Sequence, residues 1–153
     1  MHKPDLRTRF LTVVAQATGI RTGNEKILTA EVSVPAEELA PGPRGYRVPV
    51  VDFDTSVHTF YKPRNYQSTG KGRYRDPYEN PSNDTIIQDP QFHTQNVYAI
   101  IMRTLARFEF ALGRRISWSF SGHQLRVSPH AFADARKGPG RPSDKRLPLN
   151  GAR

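Results

Sequence analysis

Residues 10–17 are rich in β-branched and apolar side chains, the composition of a strand. Thr22-Gly23-Asn24 is a turn signal. Over residues 26–34 the chain then alternates, with Leu28, Ala30, Val32 and Val34 on one face and Ile27, Thr29, Glu31 and Ser33 on the other. That period of two predicts a half-buried strand, and the two runs together predict an antiparallel hairpin. Residues 35–44 read as a loop with one helical turn over 36–39. Residues 46–53 read as a further strand, in which Pro49 requires an edge or a bulge because it cannot donate to a ladder. Residues 57–61 read as a short paired strand. Residues 62–89 form a long polar stretch broken by prolines, the pattern of an irregular surface excursion.

At residue 89 the period changes to that of a helix. Asp89 is a good N-cap, and Pro90 suits the first helical position, where no N–H is needed. Val97, Ile101, Leu105, Phe108 and Leu112 recur at spacings of three and four. Ile100 and Phe110 widen this stripe, and Tyr98 and Met102 flank it. Gly113 supplies the C-cap, so the pattern predicts one amphipathic helix over about 90–112 whose stripe is core. Ile116, Trp118 and Phe120 then alternate with serines, Gly122 turns the chain, and Leu125 and Val127 alternate again. This predicts a second hairpin over about 116–128. Residues 129–135 look like the start of an element left uncompleted.

These elements make the expected fold class α+β: antiparallel hairpins packed on one long amphipathic helix, in a single domain over residues 1–135. Residues 136–153 read differently, as a disordered basic tail of arginine, lysine, glycine and proline. The tail carries six cations against one acid, Asp144, and so holds +5 of the formal net charge of +9. Total charge is therefore a poor argument that the folded part binds nucleic acid. The chain has no cysteine, which excludes disulfides, thiolate metal ligands and cysteine nucleophiles. No run approaches the roughly 18 apolar residues of a membrane span, and the first residues lack the apolar core of a secretory signal. The expectation is a soluble, cytoplasmic protein without membrane contact.

Candidate chemistry is sparse. His93, His123 and His130 lie near structured segments, but none has the spacing that puts two imidazoles on one helical face, and sequence leaves their convergence open. Asp52 and Asp54 stand two apart at a strand end and so point the same way. Such a pair can bind a cation or run acid–base chemistry, and it is also common at solvated strand ends. Thr69-Gly70-Lys71-Gly72 lacks the first glycine and the final hydroxyl of a phosphate loop. Lys62, Arg64, Tyr66, Lys71, Arg73, Tyr74, Arg75 and Tyr78 interleave cations with aromatics, as a nucleic-acid contact would, although Asp76, Glu79 and Asp84 follow. Gly140-Arg141-Pro142 in the tail is a degraded minor-groove motif. On the polyanion reading, the contacts are Arg73, Arg75, Arg136, Lys137, Arg141, Lys145 and Arg146, and the partner is nucleic acid bound weakly through the tail.

One longer pattern carries more. Gln95-Asn96-Val97-Tyr98, the run Arg103 to Glu109 (Arg-Thr-Leu-Ala-Arg-Phe-Glu), Leu112-Gly113-Arg114-Arg115, Trp118, Gly122-His123-Gln124-Leu125 and Pro129-His130-Ala131 belong to it, together with the upstream runs Pro43-Arg44-Gly45-Tyr46-Arg47-Val48 and Val51-Asp52-Phe53-Asp54. Over about residues 10–135 this resembles the N-terminal part of bacterial gluzincin-like proteins, relatives of the thermolysin-type zinc peptidases. The resemblance implies a β-rich segment, a long helix and a hairpin, followed by an Asn-Ala aromatic segment and only then by a His-Glu-x2-His helix. That helix and the downstream glutamate of the zinc site are absent here, so no catalytic or metal residue is assigned. The implied role is a non-catalytic lobe of a metallopeptidase-related protein, cut off or shifted in frame after Ala135. Zinc would belong to the full-length relatives and no cofactor to this chain, and the partners would be a peptide or a missing catalytic lobe.

Overall fold

A computed structural model of the chain describes residues 8–55, 58–66 and 75–131. The fold is α+β, with two antiparallel hairpins and one long helix. Strand β1 (Thr8–Val14) pairs with β2 (Thr29–Pro35) in the register Leu11↔Val32 and Val13↔Ala30. Strand β3 (Phe53–Asp54) pairs with β4 (Thr59–Phe60). Helix α1 (Asn83–Gln88) leads directly into α2 (Pro90–Leu112). The tail, and with it Arg136, Lys137, Arg141, Lys145 and Arg146, lies outside the described residues, as do Val57, Lys71, Arg73, Tyr74 and residues 132–135.

α2 begins and ends where its caps dictate. Asp89 accepts the Gln91 N–H through its side chain at 2.9 Å, Pro90 follows, and Gly113 closes the helix in the left-handed region at φ 64°. The first half of α2 packs on the β1–β2 sheet, where Tyr98, Ala99 and Met102 meet Leu11, Val13, Val34, Val48 and Val50. Each fully buried aliphatic chain of this kind contributes about 1.5–3 kcal/mol. A second cluster joins Ile27, Tyr78, Ile86 and Phe92, with Tyr78 and Phe92 edge to face at 5.2 Å.

Polar side chains close the open edge of β1. Asp76 accepts the Thr12 N–H at 2.6 Å, and Asn96 accepts the Val14 N–H at 2.8 Å. Gln95, fully buried, donates to the Thr12 carbonyl at 3.2 Å and to Asp76 at 2.8 Å. An edge strand left with free donors would invite pairing with another chain, and these carboxamides and this carboxylate stand in for a third strand.

Several expectations change. The buried residues of α2 are Phe92, Thr94, Gln95, Tyr98, Ala99 and Met102, and all but Thr94 form a strip rotated from the apolar stripe that the sequence marks as core. Ile101 and Leu105 pack only partly, and Ile100, Phe108 and Leu112 are exposed. The reason is polar: Gln95 bonds to β1 and the Tyr98 hydroxyl to Glu37 at 2.6 Å, so those positions turn inward. On β2, Val32 and Val34 face the core as expected, but just before it Leu28 is exposed and Ile27 is buried in the second cluster. The excursion over 62–89 is not wholly irregular, since Ser82 caps α1 by accepting the Thr85 N–H at 3.1 Å. Residues 36–39 form no helical turn. Glu37 is held instead by Tyr98 and by the Tyr46 N–H, packed so closely on Gly45 that a Cβ there would overlap its carboxylate.

Residues 116–128 form no hairpin. Their last part, residues 125–127, runs parallel to 47–51, with Leu125 N–H to Arg47 O at 2.8 Å, Val127 N–H to Pro49 O at 3.1 Å and Val51 N–H to Val127 O at 2.9 Å. Arg47 explains why. It reaches Glu109 on α2, donates to the Ile116 carbonyl at 2.6 Å, and lies over the Trp118 ring. Glu109 also accepts the Ile116 N–H at 2.9 Å. This clasp fixes the chain leaving α2 before it can turn back on itself.

Candidate functional site

The local structure brings together two of the three histidines and both carboxylates of the Asp52 and Asp54 pair. His93 sits in the first turns of α2, set there by the Asp89–Pro90 start. His130 follows the segment that pairs with 47–51, and Ser128 and Ala131 anchor its two sides. Ser128 Oγ accepts the Phe53 N–H at 3.4 Å, and the Thr55 hydroxyl donates to the Ala131 carbonyl at 2.6 Å. Asp52, buried just ahead of β3, meets His130 Nδ1 at 2.8 and 2.7 Å through its two oxygens and accepts the His130 N–H at 3.3 Å. His130 Nε2 lies 3.1 Å from His93 Nδ1, and His93 Nε2 lies 3.0 Å from the Ile86 carbonyl.

Tyr61 completes the cluster. Its ring stands edge-on to His130 at 5.5 Å, and its hydroxyl donates to Asp54 at 2.6 Å. That bond to a carboxylate, with burial and the charges of Asp54 and Asp52, pushes the phenol up to about 12. The i, i+2 spacing of the two aspartates thus delivers both to one cluster, each already holding a donor. A cavity of about 160 Å³ adjoins it, lined among others by Val50, Asp52, Tyr61, Gln91 and Thr94. This is small beside the several hundred Å³ of an ordinary ligand pocket.

The arrangement is not a nucleophile–base–acid set. General-base catalysis needs an imidazole nitrogen within reach of a substrate proton. Here the far nitrogen of His130 is taken by His93, and the far nitrogen of His93 by a backbone carbonyl. Nor do the residues fit the zinc site of a His-Glu-x2-His peptidase. The sequence holds no His-Glu-x2-His, and among the described residues no three histidines or carboxylates converge on a point. No reaction step is assigned through zinc.

His123 stands apart, exposed, its carbonyl accepting from the Trp118 indole at 3.3 Å. Of the polyanion contacts, Arg75 is the one within the described residues; it is exposed and 3.9 Å from Glu79. Arg64 lies over the Tyr78 ring at 4.5 Å, and Tyr66 and Tyr78 are buried rather than presented for stacking. Sequence reasoning missed Glu37, Arg47, Asp76 and Gln95, the residues that position everything else. Their only signal is polar character beside apolar runs, which solvated positions share.

No protein-family model, curated protein or solved structure matches the chain. Among the described residues no helix is long and apolar enough to cross a membrane.

Proposed function

We propose that this chain is the non-catalytic N-terminal lobe of a gluzincin-like, metallopeptidase-related protein, and that its work is to seat a second lobe and form one wall of the cleft between them. The supporting observation is that α2 is apolar on two sides. One side packs on the sheet. The other carries exposed Ile100, Phe108 and Leu112, while Phe110, 90% exposed, and Phe120, beyond the helix end, add exposed apolar surface elsewhere. A helix apolar beyond its buried stripe is one that expects a second neighbour.

The coding DNA beyond codon 135, read in all frames, tests this. The expected result is an open frame encoding an Asn-Ala aromatic segment and then a His-Glu-x2-His helix. If no frame encodes them, the reading fails.

A further inference from the structure

The Asp52–His130–His93–Ile86 chain contains three hydrogen bonds, and each needs one proton. The Ile86 carbonyl can only accept, so His93 Nε2 must carry hydrogen. The Asp52 carboxylate accepts from His130, so His130 Nδ1 must carry one too. The remaining nitrogens, His93 Nδ1 and His130 Nε2, face each other at 3.1 Å with ring centroids 5.3 Å apart. A ring nitrogen lies about 1.1 Å from its centroid by standard ring geometry, so the two lone-pair directions are nearly collinear, the geometry of an N–H···N bond. Two neutral imidazoles bring two protons in all, and both are already committed to the outer partners. The third bond needs one more.

We infer that the Asp52–His130–His93 cluster is a proton-binding site that holds one excess proton between its two imidazoles, and that this proton latches residues 128–131 to the start of α2. The positive charge is balanced by Asp52, whose side chain is 5% exposed, while that of His130 is 27% exposed and so open to exchange with solvent. The groups facing the pair are Asp52 and Asp54 from the β3 side, Tyr61 following β4, and the Ile86 carbonyl from α1. Removing the excess proton leaves two lone pairs opposed, or one outer acceptor without a donor. Adding a second sets two N–H groups against each other. The latch is therefore strongest with one excess proton.

The test is imidazole ¹⁵N NMR of the full chain with amide hydrogen exchange across a pH series. In the latched state His93 Nε2 and His130 Nδ1 should both be protonated, with scalar coupling across the bond between His93 Nδ1 and His130 Nε2. Exchange at the His130 and Ala131 amides, corrected for intrinsic rate, should rise about tenfold or more as the excess proton leaves, the fold-change a charge-assisted bond is worth. His93→Gln should abolish that pH step, and His123→Gln should keep it. Two neutral rings without coupling, or exchange that stays the same across the pH series, would overturn the inference. Both of those readouts come from the wild-type chain, so they decide the matter even if His93→Gln fails to fold.

Discussion

At the scale of single residues, the chain leaving α2 is governed by Glu109. Burial works to raise its carboxyl, but the Ile116 N–H, the bond to Arg47 and the charges of Arg47 and Arg115 outweigh burial and hold it below its ordinary 4.5. A carboxyl depressed in the folded state stabilises the fold above its unfolded value, and that contribution is lost as pH falls through the folded value. Glu109→Gln, which keeps an acceptor for Ile116 but not the charge, should therefore lower the urea midpoint near neutral pH. The gap from wild type should begin to close as pH falls below about 4.5 and vanish once the wild-type carboxyl is protonated. Denaturation curves of both proteins over that range decide it; a gap that never changes would mean the clasp does not depend on charge.

At the scale of elements, caps and turns are legible in the sequence, while the choice of face and long-range pairing are not. Asp89, Pro90 and Gly113 announce the limits of α2 because capping is local chemistry written in adjacent residues. The β1–β2 hairpin is equally legible, its alternation and turn signal both being short-range. The buried strip of α2 is not, because Gln95 enters the core for its bonds to Thr12 and Asp76, partners at distances in sequence that no periodicity encodes. The parallel pairing of Val127 with Val50 is hidden for the same reason, and so is the meeting of His93 with His130. Asp89 itself serves two elements, capping α2 with one oxygen and accepting the Tyr78 hydroxyl at 2.9 Å with the other. Asp89→Ala should cost about 1 kcal/mol for the cap and about 1–2 kcal/mol more for the buried hydroxyl left unpaired. Asp89→Asn retains an acceptor for the cap and should cost less; urea unfolding of the two variants, side by side, measures both parts.

At the scale of the whole molecule, the question is whether the outer side of α2 stabilises this chain or serves something else. Phe108, Phe110 and Leu112 are 58%, 90% and 52% exposed. Side chains so exposed contribute little to folding, because most of their apolar surface stays in water in both states. Phe108 and Leu112, four residues apart, adjoin on one side of the helix and Phe110 stands on the other, and exposed apolar area of this kind attracts other apolar surfaces. Their joint replacement by glutamine, a good helix former, should leave the urea midpoint within about 0.5 kcal/mol of wild type. The same variant should bind an apolar reporter dye several-fold more weakly and self-associate less at high concentration. A large loss of stability would instead show that these side chains belong to the core of this chain, and would remove the observation on which the second lobe rests. An unchanged midpoint with unchanged dye binding would place the adhesive surface elsewhere, with exposed Tyr46 and Phe120 as the next residues to replace. Stability unchanged and dye binding reduced is the pair of results that a docking face requires, since such a face must attract apolar surface while contributing little to the fold that presents it.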